Sequence, residues 1–265
     1  MIGRRLLFIK PPKTGSTSAT VAINRALAAT ELQSRGHHGF PHATPEPLPP
    51  DVAMLHGHVS WHEVEPWMAD PAGWAPIMTL RDPLERTLSH YRYLRQRARR
   101  PAMPDSDRPL CEEALARPLR DLVRDETSRF HGWTMPVQTI LLGADLNGLV
   151  TEHAWPAGVH DPAFHERALR VALARLEQLR WIGITESLWR DLETLAHLQG
   201  WPPLAEPRSN VTARPSGDDA AFCEADPDTR RLLQKRLLPD SILYESAREL
   251  AAERRRAIGP ASRRG

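Results

Sequence analysis

The segment KTGSTS, residues 13–18, gathers one lysine, one glycine and four hydroxyl side chains directly after a short apolar run. Where such a turn enters a helix, backbone N–H groups point into one space and the helix dipole favours a negative charge there. The segment therefore predicts an anion-binding loop; the alternative is an ordinary helix that begins with a Ser or Thr cap. The predicted ligands are Lys13, Thr14, Gly15, Ser16, Thr17 and Ser18.

The position of the lysine argues against the phosphate-binding loop of nucleoside triphosphatases. In nucleoside triphosphatases, the loop reads GxxxxGKS or GxxxxGKT, so the lysine follows the last glycine and the next hydroxyl holds magnesium. Lys13 instead precedes Gly15. Only three of the 35 basic residues are lysines, so a lysine here indicates a need for a compact ammonium charge, with chance as the alternative.

A second group lies in RDPLERTLSHY, where Arg81 follows an apolar run and Ser89 comes eight residues later. Asp82 suits a helix cap and Pro83 the first helical position, so the segment predicts a turn that leads into a helix. Arg81 and Ser89 can then face the same side, where a guanidinium and a hydroxyl suit a terminal phosphate. The alternative is a surface ion pair between Arg81 and Asp82 or Glu85.

A third group is the HGH motif at the end of an apolar stretch. In an extended chain His56 and His58 project to the same face, because side chains alternate along a strand. One imidazole could accept a proton from a substrate hydroxyl while the other orients it or the substrate. The alternatives are simple loop polarity and a metal pair with His62 as a third ligand.

These three groups need a scaffold that brings them together. Apolar runs at 5–10, 51–61, 74–80 and 180–185 predict strands, the second of which runs into a loop, and helical patterns separate them. The resulting prediction is a three-layer α/β domain, with a mostly parallel sheet flanked by helices. Because ligands of such sheets collect beyond the carboxyl ends of the strands, the three groups are expected to meet at one edge.

The remaining chain predicts helices and loops. Helices are expected at about 83–95, 112–124, 136–142, 164–179, 186–198, 227–238 and 240–255. Residues 34–50 and 202–219 are expected to be polar loops, and the Arg-rich tail 256–265 is expected to fray. Core positions are expected for three tryptophans near HGH, in preference to a sugar-binding platform, namely Trp61, Trp67 and Trp74.

Composition excludes some classes of protein. The 265 residues carry a net charge of only +2, so nothing indicates a nucleic-acid partner or a membrane-surface protein, and any anion site must be local. Cys111 and Cys223 lack the spacing of a zinc site or a disulfide framework, which favours a reducing cytoplasm. The apolar run at 6–9 is too short for a signal segment or a membrane span.

Taken together, the first two motifs resemble those of sulfotransferases that use 3′-phosphoadenylyl sulfate (PAPS). PKTGSTS looks like their 5′-phosphosulfate loop, and RDPLERTLSHY looks like their 3′-phosphate signature, with Arg81 and Ser89 as ligands. The HGH motif resembles the histidine pair of the carbohydrate branch, the uronyl 2-O-sulfotransferases. The resemblance implies a P-loop NTPase-like sulfotransferase fold, PAPS as co-substrate and no required metal.

The resemblance also implies roles for individual residues. Lys13 would act on the transferring group, and His58 would be the base with His56 assisting. The basic, hydroxyl-rich segment RSNVTARP would approach the adenine or the 3′-phosphate through Arg208, Thr212 and Arg214. These matches cover parts of residues 5–95 and 180–215, so the helical region at about 100–180 is the expected acceptor-binding part of one domain, 1–265.

The sequence therefore predicts a cytoplasmic, PAPS-dependent sulfotransferase that acts on a hydroxyl, expected to belong to a carbohydrate or a glycan-bearing acceptor. Two alternatives stay open. One is an ATP-dependent kinase of small molecules with a similar fold, and the other is a noncatalytic module that binds anionic glycans. The acceptor and the oligomeric state are left open by the sequence.

Overall fold

The computed structural model describes residues 4–37, 48–69, 73–145, 159–204 and 218–258. Its centre is a sheet of five strands, all parallel, in the order β2-β3-β1-β4-β5. The strands are β1 Arg5–Ile9, β2 Gln33–His37, β3 Val52–Gly57, β4 Trp74–Leu80 and β5 Trp181–Ile184. The predicted α/β architecture with a parallel sheet is confirmed.

Eleven helices are seen within the described residues. They are α1 Ser16–Ala28, α2 Trp61–Met68, α3 Pro83–Ala98, α4 Arg108–Ala116, α5 Leu119–Arg124, α6 Val137–Gly143, α7 Pro162–Gln178, α8 Leu188–Gln199, α9 Asp218–Cys223, α10 Pro227–Arg236 and α11 Leu238–Ile258. Two short 3₁₀ turns, His131–Thr134 and Thr185–Ser187, complete the set. No helix in the described part of the chain is long and apolar enough to cross a membrane.

The sheet is covered on both faces, which explains why its strands are apolar without alternation. Leu6 and Phe8 of β1 point into a core shared with α1 and α8. Leu7 and Ile9 point the other way, into a core shared with α2, α7 and α11. All four side chains are fully buried, so β1 lies in the middle of a three-layer arrangement.

A further apolar core lies beside the sheet and joins α3 to the helices that follow it. Tyr91, Phe130 and Trp133 are among its buried side chains, with contributions from α4, α5, α6 and α10. Asp82 caps α3 by accepting a hydrogen bond from the Glu85 N–H at 2.9 Å, as the sequence predicted. The stretch after α3 is helical as expected, and this core ties it to the helix that begins at the end of β4.

Several sequence predictions were wrong in detail. Residues 34–37 belong to β2 rather than to a loop, because an edge strand pairs through its backbone and needs no apolar pattern. The single helix expected at 112–124 is two helices, since Pro118 cannot continue the first. The helix α2 was missed, although Ser60 and Glu63 form a reciprocal capping box at its start.

Two differences concern the C-terminal third. Residues 218 and 219, expected in a loop, begin α9. Residues 256–258, expected in a frayed tail, continue α11. The rest of the predicted tail, 259–265, lies outside the described residues. The three tryptophans are buried core residues, as expected, and belong to the core beside α2.

Candidate functional site

The three chemically active segments lie at one edge of the sheet. Ile9, near the end of β1, is in register with Gly57 of β3 and Met78 of β4. Since all three strands run the same way, the residues that follow them emerge side by side. These are the loop that begins at Lys10, the histidine His58 and the arginine Arg81.

The first loop has a tightly wound backbone. Lys13 and Gly15 both have positive φ, at 69° and 71°, and a non-glycine residue in this region is strained. A Cβ on Gly15 would also lie 3.1 Å from Leu188 Cδ2. Glycine is therefore required at position 15 both by its backbone conformation and by the close approach of the chain that follows β5.

The hydroxyl groups of the loop have different surroundings. Thr14 is fully buried, and its Oγ1 lies 2.8 Å from both the Pro11 carbonyl and the Thr79 hydroxyl of β4. This side chain therefore anchors the loop to the sheet. Ser16 is buried, whereas Thr17 is exposed. The N-cap position of α1 is Gly15, so no side chain caps the start of this helix.

Lys13 lies in a cationic environment. Its Nζ is 4.3 Å from the centroid of the Tyr93 ring, a favourable cation–π distance. Burial, followed by the charges of Arg81 and Arg100, lowers the pKa of Lys13 to about 8. Burial also lowers the pKa of Lys10. Cations held this close to one another make a site that gains stability when an anion enters it.

This environment predicts a pH dependence of anion binding. Above about pH 8 the free protein loses the Lys13 proton. Affinity for the predicted ligand 3′-phosphoadenosine 5′-phosphate, whose phosphates ionise at about pH 6, should therefore be constant between about pH 7 and 8 and fall by up to about tenfold per unit above that. Arginine side chains keep their charge in this range, and burial lowers the pKa of the nearby His90 well below it. Calorimetry across the range, with Lys13→Gln as the control, tests this. An affinity in the wild type that is constant through pH 8 would contradict it.

Arg81 joins the first and second segments. Its Nη1 donates to the Lys13 carbonyl at 3.3 Å, across 68 positions of sequence. Two carboxylates lie farther off, with Glu186 at 3.9 Å from Nε and Glu85 at 4.0 Å from Nη2. At these distances and with the Arg81 side chain 22% exposed, the pairs are loose and leave the guanidinium in reach of a stronger anion. Ser89 is buried on α3, eight residues after Arg81.

The two histidine side chains lean towards different neighbours of β3. A Cβ built on Gly36 of β2 would lie 3.1 Å from His56 Cε1, so the His56 ring leans over the edge strand. The exposed His58 instead leans towards β1, with its Nδ1 2.5 Å from the Lys10 carbonyl. Because a carbonyl can only accept, His58 Nδ1 must carry the proton and Nε2 is the basic nitrogen. That tautomer suits a general base.

A further histidine near the site, His90, was not predicted from the sequence. His90 follows Ser89, is only 2% exposed and stacks on Trp133 with ring centroids 4.3 Å apart. Neither ring nitrogen has a hydrogen-bond partner among the described residues. Burial, then the charges of Arg86, Lys13 and His58, lowers the pKa of His90 well below its usual range. A neutral imidazole therefore lies beside the cationic site.

No family model matches the chain, and no curated protein matches it either. The site is therefore defined by its geometry. The segment with the predicted ligands Arg208, Thr212 and Arg214 lies outside the described residues. Within the described ranges, no three His, Cys, Asp or Glu side chains lie close enough together to share a metal ion.

A separate cleft of about 610 Å³ lies at the opposite edge of the sheet. It is lined by Trp74 at the start of β4, by Arg180 and by Arg254. The Arg254 guanidinium donates hydrogen bonds to the Leu179 and Glu177 carbonyls, the second at 3.1 Å. None of the groups that converge near Lys13 lines this cleft, so we assign the candidate site to the carboxyl edge.

Proposed function

We propose that the protein transfers a sulfuryl group from PAPS to a hydroxyl of a carbohydrate or glycan-bearing acceptor. The observation that carries the proposal is the hydrogen bond from Arg81 to the Lys13 carbonyl, which brings the two motif segments together. A donor with a 5′-phosphosulfate and a 3′-phosphate needs two cationic sites at a fixed separation. The first loop and Arg81 supply such sites at one edge of the sheet.

The first loop suits the phosphosulfate end of the donor. The N-terminus of α1 has no acidic residue in its first turn, so the helix dipole and its N–H groups favour an anion. Lys13 adds a positive charge next to the transferring group. The positive φ of Lys13 is the kind of backbone strain that persists where a side chain must be held in one place.

His58 suits the acceptor end. Its Nε2 would take the proton from the acceptor hydroxyl as that oxygen forms a bond to sulfur. The bond between sulfur and the bridging oxygen then breaks, and its electron pair stays on the 5′-phosphate of the leaving nucleotide. Lys13 and the loop N–H groups would stabilise this charge, so catalysis would rest on positioning and electrostatics. His56, which leans over β2, would act indirectly.

Calorimetry with 3′-phosphoadenosine 5′-phosphate and with ATP tests the proposal. The bisphosphate should bind at least about tenfold more tightly than ATP, with or without magnesium, because only the bisphosphate offers a 3′-phosphate to Arg81. A preference for ATP that requires magnesium would favour a small-molecule kinase. Binding of sulfated glycans without nucleotide affinity would favour a noncatalytic module. Either result would contradict the proposed function.

A further inference from the structure

The helix α11 carries two side chains that point towards Arg81. Asp240 is fully buried and Tyr244, four residues later, is 5% exposed. Residues four apart lie on the same face of a helix. Neither side chain touches Arg81 directly, but each binds a residue that does. The residues that bridge them to Arg81 are Gln138 for Asp240 and Glu186 for Tyr244.

Asp240 reaches the backbone of Arg81 through Gln138. The Gln138 Oε1 accepts from the Arg81 N–H at 2.9 Å, and its Nε2 donates to the Arg81 carbonyl at 3.0 Å. This pair of bonds holds the Arg81 backbone at the point where the chain leaves β4. One side-chain amide thus replaces the strand partner that the backbone lacks there.

Asp240 fixes the position of Gln138. Its Oδ2 accepts from the Gln138 backbone N–H at 3.2 Å and lies 3.4 Å from Gln138 Nε2, while its Oδ1 accepts from the Thr139 N–H at 2.7 Å. The carboxylate therefore caps the start of α6 and orients the amide. Burial raises the pKa of this carboxyl, but its oxygens face three N–H groups, so the contact sets where Gln138 lies.

Tyr244 reaches the side chain of Arg81 through Glu186. The Tyr244 hydroxyl donates to Glu186 Oε2 at 2.9 Å, and the Asp82 N–H donates to Glu186 Oε1 at 3.3 Å. With both oxygens engaged, the carboxylate stays 3.9 Å from the Arg81 Nε. Without the tyrosine hydroxyl, Glu186 could close on the guanidinium and compete with an incoming phosphate.

We propose that Asp240 and Tyr244 of α11 are positioning residues that hold Arg81 ready to bind the 3′-phosphate of the nucleotide. The inference rests on the proposed function, because it assigns a task to the same Arg81. The bisphosphate 3′-phosphoadenosine 5′-phosphate and its 3′-dephosphorylated counterpart 5′-AMP separate this task from general binding. The quantity to measure is the ratio of the two dissociation constants.

The experiment compares the wild type with Asp240→Asn and Tyr244→Phe by calorimetry. Asp240→Asn places an amide N–H₂ opposite an N–H donor, and Tyr244→Phe removes one hydroxyl. Each should weaken binding of the bisphosphate by about three- to tenfold and leave 5′-AMP binding near the wild-type value. Ser246→Ala is the control on the same helix, since its exposed hydroxyl donates to the Ile242 carbonyl one turn back.

A double-mutant cycle separates positioning from general support of the fold. In an Arg81→Ala background, Tyr244→Phe should no longer change affinity for the bisphosphate, because its effect passes through the guanidinium. Losses of equal size in both backgrounds, or an unchanged nucleotide ratio in both single variants, would overturn the inference. If Asp240→Asn does not fold, the cycle of Tyr244→Phe with Arg81→Ala tests the inference by itself. A wild type that does not prefer the bisphosphate would instead contradict the proposed function itself.

Discussion

Replacing Lys13 with alanine is expected to lower sulfuryl transfer by about a hundredfold or more, a much larger effect than the accompanying loss of nucleotide affinity. The ammonium group lies at the turn between β1 and α1, where we place the transferring group. Negative charge on the bridging oxygen is greater in the transition state than in the bound donor. Its stabilisation therefore affects turnover more than binding.

The measurement is transfer of labelled sulfate from saturating PAPS to a panel of desulfated glycosaminoglycans. Lys235→Ala is the matched control, because Lys235 is exposed on α10, outside the candidate site. Lys13→Arg should recover part of the rate, since it keeps the charge but not the compact shape of the ammonium. Equal turnover in Lys13→Ala and the wild type would refute the role of Lys13.

Replacing Arg81 with alanine is expected to weaken binding of 3′-phosphoadenosine 5′-phosphate by about 10- to 100-fold, the loss typical of a hydrogen bond between charged groups. Affinity for 5′-AMP should stay close to the wild-type value, because that nucleotide has no 3′-phosphate. A second effect is expected on Lys13. Since the charge of Arg81 lowers the pKa of Lys13, its removal should move the pH at which anion binding weakens to above 8.

Calorimetry with the two nucleotides distinguishes this assignment from a structural one. Arg231→Ala is the control, because Arg231 is an exposed arginine of α10 whose partner is Asp228 one turn away. Equal losses of affinity for both nucleotides in Arg81→Ala would show that Arg81 supports the whole pocket. The assignment to the 3′-phosphate would then be wrong.

The positions of the three motif segments were predictable because the rule that places them is topological. Once β1, β3 and β4 are parallel neighbours, the residues after them must emerge at the same edge. Apolar runs between polar turns were enough to find these strands. The helix after Arg81 was predictable for a local reason, since its cap and its first proline are adjacent in sequence.

The residues that support Arg81 were not predictable in this way. Gln138 follows Arg81 by 57 positions, and Asp240 follows Gln138 by 102. A glutamine or an aspartate in a helix is ordinarily a surface residue, and no local pattern marks these two as buried. The same holds for His90, whose burial comes from aromatic rings of a segment about forty residues later.

The sequence by itself determined the positions of β1, β3, β4 and β5, the two cationic segments and the residue types that suit a phosphosulfate. These follow from hydrophobic periodicity and from turn and cap chemistry, which act between near neighbours in the chain. Only the tertiary structure decided which histidine ring faces the loop, which groups the Thr14 hydroxyl bonds and which helix positions Arg81. Those outcomes depend on contacts between distant segments, where burial decides the partner of each polar group. The lysine before the glycine belongs to both categories, since its order is read from the sequence but its pKa is lowered by burial and then by the charges of Arg81 and Arg100.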